Sequence, residues 1–210
     1  MKNKKLKILF LYPNLNMSTL VPNAISILTA ILKQAGFNNI DLFDTTFYES
    51  DGLSKDEDRV KVGQVQPFNF DEKNIKLKRT DMYKDFINKV NKFKPDIIFA
   101  SIVEDTFPIF INFMNTIKDN KIPCLAGGVF PSSAPERVIK LDFVDYVCRG
   151  EGEGALVDLA NALEEGKDTS KIANLWVKKN GKILAKNSIR PALDVNTLPV
   201  QDLSIFEDIT

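Results

Sequence analysis

The chain has 210 residues, of which 44% are hydrophobic and 15 are phenylalanine, enough for the core of one domain of ordinary size. Basic and acidic residues balance at 28 each, which excludes a net field that would attract nucleic acid or an anionic membrane. Histidine is absent and only Cys124 and Cys148 are cysteines, which excludes histidine-ligated zinc enzymes, Ser-His-Asp hydrolases and an iron–sulfur cluster held by this chain alone.

The amino-terminal region predicts a βαβ unit. The apolar run Leu6–Tyr12 ends at Pro13 and is typical of a central parallel strand. It is too short for a signal peptide, and no apolar run in the sequence could span a bilayer, so we expect a cytoplasmic protein without a membrane partner. Apolar residues recur at helical spacing from Ile25 to Ala35, and Asn39–Phe43 predicts a second strand.

The segment 45–80 interrupts this alternation with charged and small polar residues. A stretch of this length without secondary structure is unusual in a compact domain. We therefore predict a mobile polar insertion in which Phe68 and Phe70 contact the body of the domain.

Alternation of helices and strands returns at Asp81. A helix with an apolar face follows and is predicted to end at Lys94-Pro95. Three more apolar runs predict strands, at Asp96–Ser101, Pro123–Ala126 and Val144–Cys148, each separated from the next by a helix. Both cysteines lie within such runs and are expected to be buried, reduced thiols. The sequence thus predicts an α/β fold with a doubly wound, five-stranded parallel sheet of flavodoxin-like or Rossmann-like type.

The carboxyl-terminal region has a different pattern. Asn180-Gly181 between two apolar runs predicts a type I′ β-hairpin, and Leu198-Pro199 predicts an extended linker that leads away from the domain. The predicted organisation is an α/β domain over 1–168, a hairpin over 169–190 and a linker over 191–210.

Two glycine-rich loops follow the fourth and fifth predicted strands. They are Gly127-Gly128-Val129-Phe130 and Gly150-Glu151-Gly152. Glycine lets the backbone approach a ligand, and ligands of parallel sheets bind at the carboxyl ends of the strands. We expect one cradle built from both loops. Two alternatives stay open: a tight turn at Gly127-Gly128 without a ligand, and carboxylates at Glu151 and Glu153 that only complement the dipole of the next helix.

Several short motifs occur in a fixed order along the chain. They are Ile8–Asn14, Ala24–Leu28, Lys94–Ile98, Gly127–Pro131, Val144–Val147, Gly150–Glu153, Asn180-Gly181 and Leu198-Pro199. In this order and spacing they resemble the N-terminal cobalamin-binding domain of radical S-adenosylmethionine (radical SAM) enzymes. The resemblance covers nearly the whole chain except the insertion at 45–80.

The resemblance implies a corrin ring over the carboxyl edge of the sheet, with its nucleotide tail reaching into the domain. Exposed backbone suits the amide side arms of a corrinoid, and an aromatic ring at Phe130 is expected to support the flat macrocycle. The implied cofactor-binding residues are Tyr12, Pro13, Asn14, Ser101, Val103, Gly127, Gly128, Val129, Phe130, Gly150, Glu151 and Gly152.

The resemblance also implies what this chain does not supply. Relatives with an axial histidine carry it in an Asp-x-His-x-x-Gly motif, whereas this chain has no histidine, so base-off cobalamin without a histidine ligand is expected. The Cys-x-x-x-Cys-x-x-Cys motif is absent, which places the 4Fe-4S cluster and S-adenosylmethionine in a radical SAM barrel joined in cis. We expect part of a methyltransferase that is not catalytic by itself. It is either an excised domain or a free-standing carrier, and the lack of a termination signal after Ile209-Thr210 favours an excised domain.

The leading alternative is a flavodoxin-like regulatory or interaction domain that no longer binds cobalamin. A phosphoacceptor receiver fits less well, because Tyr12-Pro13-Asn14 stands where paired acidic residues are needed. A flavin or nucleotide carrier needs a phosphate-binding loop after the first strand, where only Ser18 and Thr19 are suitable.

Overall fold

A computed structural model describes residues 4–15, 22–49, 56–64, 66 and 71–207. The strands are β1 (Ile8–Tyr12), β2 (Ile40–Asp44), β3 (Ile97–Ser101), β4 (Cys124–Gly127), β5 (Tyr146–Cys148), β6 (Leu175–Lys179) and β7 (Lys182–Lys186). The α-helices are α1 (Asn23–Gln34), α2 (Asp56–Lys61), α3 (Met82–Phe93), α4 (Phe107–Thr116), α5 (Val129–Ser133), α6 (Pro135–Ile139) and α7 (Glu153–Glu164).

The strands form one mixed sheet in the order β2-β1-β3-β4-β5-β6-β7. The first five are parallel, which confirms the predicted doubly wound fold, and β6 and β7 extend the sheet with antiparallel pairs. The chain moves outwards from β1 to β2 and then returns to β3 on the other side of β1. This reversal makes the junction of β1 and β3 the topological switch point, where ligands of such sheets bind.

The sheet is covered on both faces because its central strands are apolar on both sides. In β1, Ile8 and Phe10 pack into one core layer with α1 and α7, whereas Leu9 and Leu11 pack into the other with α3 and α4. Successive side chains of a strand point to opposite faces, so a continuous apolar run builds both layers at once.

Helix α3 begins and ends where the sequence predicts. Asp81 caps its first turn by accepting hydrogen bonds from the backbone nitrogens of Tyr83 (3.0 Å) and Lys84 (3.3 Å). Lys94 adopts a left-handed conformation with φ of 53°, and Pro95 prevents the helix from continuing.

The segment 45–80 is attached to the sheet at both of its ends. Tyr48 pairs with Lys78 in an isolated bridge, and its buried ring packs 6.0 Å from that of Phe43. The Tyr48 hydroxyl donates a 2.9 Å hydrogen bond to Asp85 of α3, and this bond and the burial raise the pKa of the tyrosine. The predicted contacts of Phe68 and Phe70 lie outside the described residues.

The predicted hairpin is confirmed and continues the main sheet. Asn180 and Gly181 have φ values of 52° and 73°, which are the positive values that a type I′ turn requires. Strand β6 pairs with β5, and Trp176 lies beside Val147 in register. The burial of Trp176 explains why this hairpin docks on the domain, since its indole joins the core layer of α3 and α4.

The segment after β7 folds back along α1 instead of leading away from the domain as expected. The backbone nitrogen of Asp202 donates to the carbonyl of Ser26 (3.1 Å), and its carboxylate pairs with Lys33 (2.5 Å). Ile205 and Phe206 pack against the core layer of α1 and α7. These apolar contacts supply the reason for the reversal, because leaving the domain would expose both side chains to water.

Candidate functional site

The loops after β1, β3, β4 and β5 meet at the carboxyl edge of the sheet, and this edge carries the predicted site residues. Ser101 at the end of β3 lies beside Gly127 at the end of β4 in register. The backbone nitrogen of Ile102 donates a 2.9 Å hydrogen bond to the carbonyl of Gly127, so the loops after β3 and β4 are joined directly.

Gly128 is the position at this edge where no other residue fits. Its φ is 105°, and a Cβ added there would lie 2.6 Å from the carbonyl oxygen of Ile102 and 2.8 Å from its nitrogen. Gly127 differs, because a Cβ there would meet its nearest atom, the Cβ of Cys148, at 3.6 Å. The diglycine is therefore required at its second position, where two backbone segments cross closely.

An inner cavity of about 200 Å³ opens at this edge between α1 and α7. It is lined by Phe10, Ala24, Ile25, Leu28, Phe99, Ala100, Ser101, Leu125, Gly127, Gly128, Cys148, Gly150, Glu151, Gly152, Glu153 and Leu156. Six of the predicted site residues are brought together here: Ser101, Gly127, Gly128, Gly150, Glu151 and Gly152. Its deep part is apolar and formed by core side chains of the sheet and of both helices.

The contribution of α1 and α7 to this cavity was not predicted. Leu28 and Leu156 belong to helical stripes that indicate a core face, and the sequence gives no sign that the two helices leave a gap between them. The small residues Ala24 and Gly152 are the signal that could have suggested one. A Cβ on Gly152 would lie 3.2 Å from Leu156 and 3.6 Å from Leu28, which narrows the cavity.

An outer pocket of about 120 Å³ lies on the other side of Ser101. It is lined by Tyr12, Pro13, Asn14, Leu15, Ser101, Val103, Asp105 and Thr106, and thus brings together the other predicted residues that follow β1 and β3. Ser101 borders both the inner cavity and the outer pocket, so a ligand that fills one and reaches the other must pass its hydroxyl.

Asn14 holds the loop after β1 in place. Its backbone nitrogen donates to the Thr45 hydroxyl (2.7 Å), and its side-chain amide donates to the Thr46 hydroxyl (2.9 Å). Thr46 in turn donates to the carboxylate of Asp44 through its hydroxyl (2.5 Å), and burial raises the pKa of Asp44. This chain of bonds fixes the position of Tyr12 and Pro13 at the end of β1.

Val129 and Phe130 line neither the inner cavity nor the outer pocket. The ring of Phe130 is buried and packs 4.6 Å from that of Phe107, so it is directed into the core and not towards a ligand as expected. The reason is that α5 begins at Val129 directly after the turn at Gly128. The helical turn directs Phe130 inwards and leaves Val129 71% exposed.

The loop Gly150-Glu151-Gly152 is held by Asn174, which the sequence analysis did not identify. Asn174 is buried with φ of 72°, and its side-chain amide donates a 2.8 Å hydrogen bond to the carbonyl of Glu151. Gly150 donates to the Ser132 hydroxyl (3.0 Å), and the Glu151 carboxylate accepts from the nitrogen of Leu193 (2.9 Å). The cradle loop is thus connected to the hairpin and to the returning segment.

Cys148 and Glu153 give the inner cavity its electrostatic character. Burial, together with the nearby negative charge of Glu153, raises the pKa of the Cys148 thiol to about 12, so this cysteine is a neutral thiol at pH 7. One carboxylate oxygen of Glu153 is buried and has no hydrogen-bond partner within the described part of the chain. The lining contains the side chains of Glu151 and Glu153 but no lysine or arginine, so it carries no positive charge.

Within the ranges that the structure describes, no group of three or more His, Cys, Asp and Glu side chains could hold a metal ion. The same residues include no helix that is long and apolar enough to cross a membrane.

Comparisons with known proteins point to one family. The family model of the B12 binding domain matches residues 18–160. An uncharacterized methyltransferase of Pyrococcus horikoshii is 28% identical over 130 residues, which are 59% of this chain and 28% of that protein.

Two solved structures that superpose on this chain are considerably longer. The radical S-adenosylmethionine methyltransferase TsrM from Kitasatospora setae, solved with tryptophan and a SAM analog, superposes with a TM-score of 0.65 at 18% identity, over 87% of this chain and 30% of that chain. The cobalamin-dependent S-adenosylmethionine radical enzyme OxsB, solved with aqua-cobalamin and S-adenosylmethionine, gives a TM-score of 0.67 at 16% identity, over 96% of this chain and 25% of that chain. The chain therefore spans less than a third of each of these relatives.

The matched region contains the parts that build the site. Residues 18–160 include α1, the ends of β3, β4 and β5 with their loops, and the first turns of α7, and hence every residue of the inner cavity except Phe10. The predicted resemblance to a cobalamin-binding domain is thereby confirmed at the level of the family. This chain belongs to the B12-binding domain family.

Proposed function

We propose that this chain binds a corrinoid over the carboxyl edge of its sheet, as the cobalamin-binding module of a radical SAM enzyme, and that this enzyme is a methyltransferase. The observation that carries the proposal is the inner cavity. It opens at the carboxyl ends of β3, β4 and β5, beside the topological switch point, and almost all of its lining lies within the region that matches the B12-binding family.

The dimensions of the site fit a ligand with a large flat part and a smaller ring. The inner cavity, at about 200 Å³, is smaller than the roughly 300–1,000 Å³ of pockets that enclose a whole drug-sized ligand. It has room for a ring at the end of a nucleotide tail, whereas a macrocycle has to lie on the open edge above it. The residues that would hold the group differ in what they supply: unhindered backbone at Gly127, Gly128, Gly150 and Gly152, a hydroxyl at Ser101, and apolar contact at Tyr12 and Val103.

A bound corrinoid carries a methyl group that can be transferred to an unreactive centre. The glycine loops after β4 and β5 and the residues Tyr12, Ser101 and Val103 would hold and orient the ring that carries this group. Since the chain contains no histidine, we propose that the corrinoid is held base-off without a histidine ligand.

The cluster and S-adenosylmethionine are proposed to lie in a barrel that is joined to this module in cis. The two cysteines of the chain are buried on neighbouring strands and cannot form a three-cysteine cluster site. We therefore expect that the purified chain, supplied with iron, sulfide and S-adenosylmethionine, produces no 5′-deoxyadenosine. Formation of 5′-deoxyadenosine would contradict the assignment of the cluster and S-adenosylmethionine to a separate barrel.

The proposal is tested by titrating the purified chain with hydroxocobalamin and methylcobalamin while the visible spectrum and the melting temperature are followed. We expect saturable binding, a base-off spectrum and a rise in melting temperature, because a ligand that binds only the folded state stabilises it. Ala24→Trp is expected to abolish binding, since Ala24 is exposed at the mouth of the inner cavity and an indole there blocks the entrance.

Gln34→Trp is the matched control for this variant. Gln34 is exposed at the opposite end of α1, so the same aromatic side chain is added away from the site. Unchanged binding in Ala24→Trp would place the corrinoid elsewhere. Failure of every corrinoid to bind the wild-type chain would favour the alternative, a flavodoxin-like regulatory or interaction domain that no longer binds cobalamin.

A further inference from the structure

The inner cavity contains a buried hydrogen-bond acceptor that nothing in the described part of the chain satisfies. One carboxylate oxygen of Glu153 is inaccessible to solvent and has no partner there. The side chain projects from the first turn of α7 and belongs to the lining of the cavity. Most of the surrounding lining is apolar, with Leu28, Phe99 and Leu156 among its members.

Two donors close to Glu153 already have other partners. The guanidinium of Arg190 packs against Gly154 and pairs with Asp158 on the outside of α7. The thiol of Cys148 is directed towards the carbonyl of Glu151, at 4.0 Å. Because buried polar groups are nearly always paired in folded proteins, an unpartnered carboxylate oxygen inside a cavity indicates that a ligand supplies the donor.

The shape and the chemistry of the cavity together define the ligand group. A narrow apolar space between two helices and a sheet accommodates a flat aromatic ring, and an ionised carboxylate accepts hydrogen bonds but cannot donate them. A ring with an amino or N–H group on its edge satisfies both conditions. A ring that carries only methyl groups and acceptor nitrogens fills the space and leaves the carboxylate oxygen unpaired.

We propose that Glu153 selects the lower base of the corrinoid, so that the site prefers cobamides whose base carries a hydrogen-bond donor, as adenine does, over those whose base carries none. This inference rests on the proposed function, because it assigns the inner cavity to the ring at the end of the nucleotide tail. It extends that function to a choice among corrinoids that share one corrin ring and differ only in this base.

The test compares two ligands that differ by one amino group. The dissociation constants of adeninyl cobamide and purinyl cobamide are measured on the wild-type chain by spectral titration, with cobinamide, which lacks the tail, as a third ligand. We expect adeninyl cobamide to bind about tenfold more tightly than purinyl cobamide, the scale of a hydrogen bond to a charged group. Equal affinities, or tighter binding of the purinyl form, would overturn the inference.

Variants of two glutamates, one at each end of α7, test whether Glu153 is the residue that selects the base. Glu153→Leu removes the acceptor and is expected to bring the ratio of the two dissociation constants close to one. Glu165→Leu, at the exposed end of α7, is the control and is expected to keep the wild-type ratio. A ratio that survives in Glu153→Leu would show that another group selects the base. If cobinamide and all cobamides fail to bind, it is the proposed function that fails, which is a different result from binding without discrimination.

Discussion

At the scale of single residues, the two adjacent glycines at the end of β4 have different structural roles. Gly128 has a positive φ and lies against the backbone of Ile102, whereas Gly127 has room for a methyl group. The shape of the cradle therefore depends on Gly128, whereas the missing side chain of Gly127 leaves space in the inner cavity. The loop after β3 and the start of α5 are both positioned by this close backbone contact, since Phe130 donates its backbone N–H to the carbonyl of Ile102 (3.3 Å).

We predict that Gly128→Ala lowers the free energy of unfolding by more than about 2 kcal/mol, because backbone strain at positive φ adds to a clash with atoms that cannot rotate away. Gly127→Ala is the matched control and is expected to change the free energy of unfolding by less than about 1 kcal/mol. Urea denaturation followed by circular dichroism measures both values. Equal effects of the two substitutions would show that the close contact at Gly128 is not what shapes the loop.

At the scale of elements, the buried Lys178 of β6 bonds to the segment between α6 and β5 and lies close to Asp145 in the same segment. The carboxylate of Asp145 accepts a 3.0 Å hydrogen bond from the nitrogen of Cys124, and burial raises its pKa despite the nearby charge of Lys178. Lys178 donates to the carbonyl of Leu141 (2.5 Å), and its own pKa is lowered by burial. One lysine thus connects the hairpin to the loop between α6 and β5.

We predict that Lys178→Met lowers the free energy of unfolding at pH 7 by about 1–3 kcal/mol, because a partly buried carboxylate and a carbonyl lose their cation. A carboxyl group whose pKa is raised by folding stabilises the protein at pH values below its unfolded pKa, and this stability is lost as the pH rises through the folded pKa. The loss of free energy of unfolding in the variant is therefore expected to shrink as the pH falls and Asp145 becomes protonated.

Lys179→Met is the control for this experiment, since Lys179 is the next residue of β6 and is exposed. Urea unfolding at several pH values between 4 and 8 gives the comparison. If the loss of free energy of unfolding in Lys178→Met does not depend on pH, the whole effect comes from the bond with Leu141 and none of it from Asp145.

At the scale of the whole molecule, the sheet continues without a break from the parallel strands into the hairpin. Trp176 is the one tryptophan of the chain and is 5% exposed in the core layer of α3 and α4. We propose that the regions 1–168 and 169–190 unfold together as one cooperative unit, although they are distinct in the sequence pattern. The hydrogen bond of Lys178 to the Leu141 carbonyl and the bond of Asn174 to the cradle loop also connect the two regions.

We predict that the transition measured by Trp176 fluorescence coincides with the transition measured by far-ultraviolet circular dichroism, because coincidence of probes is the mark of two-state unfolding. Trp176→Phe serves as the control for the fluorescence signal. A fluorescence transition at a lower urea concentration than the circular dichroism transition would show that the hairpin detaches before the domain unfolds.

Local patterns were sufficient to predict most elements of this fold, although α2 and α5 were not among them. Continuous apolar runs predicted the five parallel strands, Asn180-Gly181 predicted the hairpin, and Lys94-Pro95 predicted the end of α3, because each of these features depends on residues that are close together in the chain. The positions of the glycine loops after β4 and β5 were predicted for the same reason.

Contacts between distant segments decided the rest. The direction of the Phe130 ring depends on the close contact of Gly128 with Ile102 and on packing against Phe107. The returning segment depends on the packing of Phe206 against the core layer of α1 and α7. The inner cavity exists because α1 and α7 pack with a gap that no local pattern records. The sequence by itself determined the strands, their alternation with helices, the absence of histidine and the positions of the glycines. Only the tertiary structure decided which side chains face the cradle. The reason is that this depends on how helices far apart in the chain pack against one sheet.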